Sequence, residues 1–274
     1  MDYLNHLKEL SLIYTEELRR HSVLKNYWSR LSLIVKGSSA RGYADEYSDV
    51  DFVIFTDSET YREIVADYVA QGLSKRTDGV FLPLGDWDGH YNLDTYEHLQ
   101  QYFDDNHVMF IWEYVNVRII HDPKGIYGKI IEDNTKAFQN RIDSLIKEQY
   151  LNIQLQLDWM RQPLRRADKG AALLYGAAFW QACCRLLYLL NGGPYPCDKW
   201  LLYYLDTLPL YKTEIGGTKD YYETFSALGD LSAGKDLMEY PMYAKGVDLT
   251  SALAGALHEK YGDRQWIDEW YLYA

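Results

Sequence analysis

The chain has 274 residues, of which 47% are apolar and 25% charged, and its net charge is −12 at pH 7. This composition is typical of a folded protein that builds its core without disulfides or a structural metal, and it excludes a low-complexity chain. The negative charge argues against a long nucleic acid as partner and suits a cationic acceptor.

The first half of the chain alternates between helical and strand periodicity. In chain order we predict a helix over 3–21, strands over 31–36 and 49–55, a helix over 59–72 capped by Ser58, strands over 80–84 and 90–94, a helix over 96–104 capped by Thr95, and a strand over 115–121. Between the third and fourth strands, Asp88-Gly89 indicates a tight turn.

The second half reads as helical throughout. The predicted helices cover 126–160 (one helix or two), 170–190, 198–207, 219–227, 231–239 and 247–261. We therefore predict an α+β fold, with a small mixed β-sheet and flanking helices over residues 1–125 and an all-α helical bundle over residues 126–274.

Residues 170–190 form the most apolar stretch and approach the ~20 residues needed to cross a bilayer. Arg185 lies within it, so we interpret it as the central helix of a soluble bundle and expect no membrane partner. The first residues are polar, so we expect no signal peptide. Three cysteines without metal-ligand spacing, Cys183, Cys184 and Cys197, are expected to be reduced thiols of a cytoplasmic protein.

A turn-rich stretch follows the first strand, from Gly37 to Ser48. Glycine lets backbone amides approach a ligand closely, and Ser38 and Ser39 place hydroxyl groups beside Gly37. A turn of this kind that leads into a helix is a phosphate cradle. By itself, Gly-Ser-Ser is usually a plain turn.

Two acids, Asp49 and Asp51, open the next strand. Residues two apart on a strand share a face, so their carboxylates repel each other unless a cation lies between them. Oxygen ligands of this kind suit Mg²⁺, which also takes phosphate oxygens. Asp-x-Asp alone is often a solvated strand face, but beside a phosphate cradle it indicates phosphoryl or nucleotidyl transfer.

Gly37-Ser38, Arg41-Gly42 and Ser48-Asp49-Val50-Asp51 together resemble the signature of the DNA polymerase β-type nucleotidyltransferase superfamily. The helical second half makes the chain similar to the antibiotic (aminoglycoside and lincosamide) nucleotidyltransferases of that superfamily. The resemblance covers about residues 31–55. It implies that Gly37 and Ser38 hold the triphosphate and that Asp49 and Asp51 bind the metals.

Three further residues are candidates for binding the nucleotide. Ser48 belongs to the signature. Arg41 either contacts phosphate or pairs with Asp45 or Glu46 and fixes the loop. Lys199 opens a helix of the second half, and in similar transferases a lysine of the helical domain reaches the triphosphate; the alternative is an ordinary surface lysine.

The resemblance also implies a third carboxylate on a neighbouring strand, acting as general base. Here the expected place falls on or near His90, and the acids of matching parity are Asp88 and Asp94. Asp88 has an alternative role in the turn, and Asp94 as a helix cap. His90 is itself a candidate base because its ordinary pKa lies near neutrality. Without any base the protein would be weakly catalytic or inactive.

These observations predict a Mg²⁺-dependent transfer of a nucleoside monophosphate, AMP from ATP, to a hydroxyl of a small aminoglycoside-like acceptor, as in antibiotic resistance. One alternative is a transferase acting on RNA or protein, although the basic cluster that would favour it is short: Arg161, Arg165, Arg166 and Lys169. Another is a non-catalytic nucleotide-binding or antitoxin-like protein. The oligomeric state is left open.

Overall fold

The computed structural model describes residues 2–213 and 231–274. The chain separates into two compact units, residues 1–138 and 139–274. The predicted domain division after residue 125 stays a prediction. The helix that begins at Ile126 runs without interruption across residues 138 and 139.

The first unit contains a five-stranded sheet and the helices that cover it. Its elements are α1 (Tyr3–Arg20), β1 (Ser32–Lys36), α2 (Gly37–Arg41), β2 (Val50–Thr56), α3 (Ser58–Ala70), β3 (Phe81–Leu84), β4 (Gly89–Thr95), α4 (Tyr96–Asp104), α5 (Val108–Val115), β5 (Arg118–His121) and the start of α6 (Ile126–Arg165). The predicted α+β class is confirmed.

The sheet is mixed, with the strand order β3-β4-β2-β1-β5. β1 runs antiparallel to β2 and β5, β3 runs antiparallel to β4, and β2 runs parallel to β4. The parallel pairing sets Asp51 opposite His90, and the antiparallel pairing sets Asp51 opposite Lys36. The register therefore brings three separate segments of the sequence together at one end of β2.

Helices cover both faces of the sheet, and β2 is buried along almost its whole length. On one face Phe52 and Ile54 belong to a core that α1 and α3 complete, for example through Leu18 and Ile64. On the other face the ring of Phe55 contacts those of Tyr114 on α5 and Tyr127 on α6, at centroid distances of 5.6 and 5.4 Å. This packing buries both faces of β2, the strand that carries Asp51 near its start.

Two details of the first unit correct the sequence predictions. The cap of α3 is Asp57 instead of Ser58, because the Asp57 carboxylate accepts a hydrogen bond from the Thr60 amide at 2.8 Å. The strand predicted over 115–121 begins only at Arg118, and the apolar run before it is the helix α5. Thr95 caps α4 as predicted.

The second unit is helical in the part that the structure describes. The stretch predicted as one helix or two is the single 40-residue α6. It is followed by α7 (Lys169–Leu190), α8 (Asp198–Leu201), α9 (Pro209–Thr213), α10 (Pro241–Tyr261) and α11 (Gln265–Asp268). The helix predicted over 198–207 is only α8 and a short 3-10 turn, and the one over 231–239 is only a 3-10 turn. The helix predicted over 219–227 lies outside the described residues.

Within the described residues, α7 is the one helix long and apolar enough to cross a membrane. Of its most apolar stretch, 56% is buried inside the protein, as in the core helix of a soluble protein. Arg185 bonds Asp198 at 3.0 Å, so its charge has a partner. Cys183 and Cys184 are buried on α7, and burial raises the pKa of both thiols.

Candidate functional site

The bend at Gly37 joins β1 to the short helix α2. Gly37 has a φ of +73°, a left-handed conformation that disfavours every residue with a Cβ. A Cβ at this position would also overlap the carboxylate of Asp51. Glycine is therefore required twice, once by the backbone and once by the acid that lies against it.

Asp49, Asp51 and His90 form a cluster at the end of β2. One ligand atom from each lies within 4.8 Å of the other two, and among the described residues this is the one group of three or more His, Cys, Asp and Glu side chains placed to hold a metal ion. All three side chains are partly buried. Two carboxylate oxygens and one imidazole nitrogen suit a divalent cation, and the structure sets them beside the Gly37 bend.

The imidazole of His90 lies between the two acids. Its Nδ1 is 3.1 Å from Asp49 Oδ2, and its Nε2 is 2.7 Å from Asp51 Oδ1. Hydrogen bonds with Asp49 and then Asp51 raise the pKa of His90 to about 9, although partial burial opposes the shift. At neutral pH the imidazole in this arrangement is protonated and neutralises part of the acidic charge. A divalent cation on the acids lowers that pKa, because like charges disfavour protonation.

Asp88 has a structural partner beneath the turn between β3 and β4. Its carboxylate accepts a hydrogen bond from the hydroxyl of Tyr14, a buried residue of α1. The backbone carbonyl of Asp88 also accepts from the Val50 amide at 3.0 Å. This agrees with the alternative that Asp88 shapes the turn, which spans Gly85 to Asp88.

Asp94 lies four residues along β4 from His90, where it pairs with Phe55. Its carboxylate accepts from the Thr95 amide at 2.7 Å and contacts His98 Nδ1 at 2.8 Å. The helix cap at this place is Thr95, so Asp94 does not fill the capping role considered for it. The structure does not bring Asp94 into the cluster of Asp49 and Asp51, and its catalytic role stays a prediction.

Arg41 ends α2 and contacts two residues of α5 that the sequence did not indicate. Its guanidinium bonds Glu113 of α5 at 2.8 Å and stacks 4.3 Å from the ring centroid of Trp112. Its side chain is only 4% exposed. A phosphate contact, which stays a prediction, would require this covered guanidinium to be uncovered. Trp112 is itself buried, as expected of a core residue.

The remaining candidates lie in different surroundings. Ser38 is half-buried in the Gly37 bend, and Ser48 donates to Asp45 Oδ1 at 2.8 Å, which shapes the loop before the acids. Lys199 belongs to α8 of the second unit, where its Nζ lies 5.3 Å from the ring centroid of Trp200. The nucleotide-binding roles of all three stay predictions.

Sequence reasoning missed the ionic cluster behind the bend. Glu113 pairs with Arg41 and lies 4.0 Å from Lys36 Nζ, so one acid from α5 contacts both ends of the bend. The only signal was the helical spacing of Val108, Ile111 and Trp112, which share a buried face. The same run is rich in strand-forming residues, so its local signal is ambiguous.

Comparison with known proteins agrees with this geometry. Residues 21–148 match the family model of the nucleotidyltransferase domain, a match that spans the Gly37 bend, both acids and His90. The N-terminal part of the chain is therefore a nucleotidyltransferase domain, and a helical region follows it. This confirms the superfamily resemblance that the motif carries.

A search of curated proteins gives no significant match. Among solved structures, the chain is similar to a nucleotidyltransferase-like protein from Exiguobacterium sibiricum 255-15. The two share 11% sequence identity with a TM-score of 0.45, over 90% of this chain and 75% of that one.

Proposed function

We propose that the protein transfers a nucleoside monophosphate from a nucleoside triphosphate, ATP in the first instance, to a hydroxyl group of a small molecule, in a reaction that depends on a divalent cation. Mg²⁺ is the expected ion for a pair of carboxylates. The observation that carries the proposal is the contact between the Asp51 carboxylate and the Gly37 bend. It sets an acid suited to a metal directly against a turn suited to phosphate.

Asp49, Asp51 and His90 would hold the cation, which when bound neutralises charge that develops on the phosphate oxygens. The amides of the Gly37–Ser38 bend would orient the phosphates. The acceptor oxygen then forms a bond to the α-phosphorus in line with the bond that breaks, and pyrophosphate leaves with the electron pair of that bond. The hydroxyl proton passes to a base near β4 or to water.

Charge on the loops beside the site supports a cationic acceptor, such as an aminoglycoside. Asp45 and Glu46 are exposed on the loop that leads to Asp49, and Asp86 is exposed on the turn that leads to β4. Together with the net charge of −12, these carboxylates favour the approach of an amine-bearing molecule over an anionic polymer.

A pyrophosphate-release assay tests the proposal. The protein is incubated with each of the four ribonucleoside triphosphates, a divalent cation and an acceptor from a panel of aminoglycosides, lincosamides and neutral sugars. We expect pyrophosphate release only when an acceptor is present, and more release with cationic acceptors than with neutral sugars. In Asp51→Asn the release should disappear. Acceptor-dependent release that Asp51→Asn leaves intact would contradict the assignment.

The imidazole at position 90 favours a second candidate, a non-catalytic nucleotide-binding protein. The resemblance implies a carboxylate general base near this place, whereas both ring nitrogens of His90 bond Asp49 and Asp51, so neither is directed at an acceptor in this arrangement. Calorimetry with ATP and a divalent cation, run beside the release assay, separates the two functions. Binding without release across the whole panel would favour the second candidate, and absence of both would exclude both.

A further inference from the structure

The third donor of the cluster is a nitrogen, which distinguishes this site from one built of oxygens alone. Asp49 and Asp51 supply carboxylates, and His90 supplies an imidazole within 4.8 Å of both. Replacing a carboxylate by a neutral imidazole removes one negative charge and one hard ligand from the site. Both changes bear on which divalent cation the site prefers.

The position of His90 is fixed by the sheet. β4 pairs with β2 in parallel over seven consecutive residues, and this register sets His90 directly opposite Asp51. The imidazole ring also contacts the ring of Phe81 on β3, at a centroid distance of 4.9 Å. Its side chain is 22% exposed, so strand pairing and ring packing keep a nitrogen donor at this place.

Two acids lie near His90 in the sequence, Asp88 just before β4 and Asp94 within it, but neither carboxylate takes the place of the imidazole as third donor. The carboxylate of Asp88 is bonded to Tyr14 below the turn. The carboxylate of Asp94 is bonded to the Thr95 amide and to His98, four residues further along the strand. The donor set at the end of β2 is therefore two carboxylates and one imidazole.

We propose that His90 is a metal ligand and that it shifts the preference of this site from Mg²⁺ towards a divalent transition metal ion. The proposal rests on the cation site of the proposed function. Mg²⁺ takes oxygen ligands almost exclusively and gives up its waters reluctantly. First-row transition ions bind imidazole nitrogen well, and their affinity rises from Mn²⁺ towards Cu²⁺. Two carboxylates and one imidazole thus favour the transition ion more than three carboxylates would.

The test uses Mn²⁺ and Mg²⁺ as probes, without nucleotide, on the full chain. Calorimetry measures the dissociation constant of each ion for the wild type and for His90→Asp, which restores an all-carboxylate set. We expect the wild type to bind Mn²⁺ at least about tenfold more tightly than Mg²⁺, and His90→Asp to reduce that ratio at least about fivefold. His98→Asn, which alters another Asp-paired histidine on the same unit, is the matched control and should leave the ratio unchanged.

Pulsed electron paramagnetic resonance of bound Mn²⁺ gives a readout independent of affinity. We expect nitrogen modulation from a coordinated imidazole in the wild type and in His98→Asn, and none in His90→Asp. If circular dichroism shows that His90→Asp does not fold, His90→Asn replaces it in both measurements, and the wild-type spectrum still tests for a coordinated imidazole. A wild-type spectrum without nitrogen coupling, or a metal ratio that His90→Asp does not change, would overturn the proposal.

Both readouts are separate from turnover. If pyrophosphate is released with Mg²⁺ yet the spectrum lacks nitrogen coupling, the transfer stands and the ligand role of His90 is lost. If nitrogen coupling is present and no acceptor or ion gives release, the ligand role stands and the transfer is lost.

Discussion

Arg41 and Glu113 form an ion pair at 2.8 Å that ties the end of α2 to α5, 72 positions further along the chain. The Arg41 side chain is 4% exposed and the Glu113 side chain 18%. Because Lys36 lies 4.0 Å from the same glutamate, the pair supports the Gly37 bend from both sides. The bend is thus fixed by a distant helix as well as by its own glycine.

Glu113→Gln should destabilise the protein by about 2–4 kcal/mol, because it removes the negative charge 2.8 Å from the covered guanidinium of Arg41. Urea unfolding followed by circular dichroism measures the change. Glu63→Gln is the control, since Arg30 and Glu63 lie at a similar distance, 2.9 Å, but are 36% and 43% exposed. That control should cost less than about 1 kcal/mol. Equal losses in the two variants would show that burial does not strengthen the Arg41 pair.

Gly37→Ala should lower both stability and activity, and Gly42→Ala separates the two causes. Gly37 is the first residue of α2 and Gly42 follows its last, and both have positive φ, +73° and +84°, so alanine costs roughly 1–2 kcal/mol of backbone strain at each. Only at Gly37 does the added methyl also meet Asp51, whereas nothing lies within 4 Å at Gly42. We expect Gly37→Ala to cost about 1–3 kcal/mol more in urea unfolding and to weaken cation binding. Matching values for both glycines would refute the contact with Asp51.

Asp49→Asn and Asp51→Asn should each reduce the rate of pyrophosphate release at least about a hundredfold, because electrostatic stabilisation of the phosphate oxygens is lost. Thermal melting should show that both variants still fold cooperatively. Asp133→Asn, at an exposed position of α6, is the control for loss of one negative charge. A comparable decrease in that control would point to the overall charge of the protein instead of the site.

Buried tyrosines should make the protein unstable at alkaline pH. Burial raises the pKa of Tyr96 to about 12 and that of Tyr68, Tyr91, Tyr114 and Tyr127 above the ordinary value of 10.0. A raised folded-state pKa stabilises the protein fully below pH 10, and this stability is lost as pH rises towards the folded value. The free energy of unfolding should therefore fall above pH 10, with a late phase of tyrosinate absorbance that coincides with loss of circular dichroism. Ionisation of all tyrosines before any unfolding would contradict this.

The local part of the site could be predicted from the sequence, because its signals are short in range. Residue parity placed Asp49 and Asp51 together, and the glycine marked the bend between β1 and α2. These two inferences need only the period of a strand and the chemistry of a turn. The place of His90 came from the resemblance, which implies a third carboxylate on the strand before the helix that Thr95 caps, and it left Asp88 and Asp94 as further candidates.

The contacts that hold the site in place could not be predicted, because they join segments that are distant in the sequence. No local pattern pairs Arg41 with Glu113, or Asp88 with Tyr14, which lies 74 positions earlier in the chain. The helix α5 was missed because its aromatic and β-branched residues favour a strand, and packing around Phe55 overrides that preference. Tertiary packing, and not local propensity, decides these elements.

The contact between Gly37 and Asp51 constrains how this sequence can diverge. A methyl group at position 37 would displace the carboxylate at position 51, so a population that depends on the position of the acid is expected to select against replacements of the glycine. Substitutions are therefore expected in one order: the acid at position 51 is replaced first, and the glycine at position 37 is replaced afterwards. A homologue that carries alanine at the bend is therefore expected to have abandoned the chemistry already.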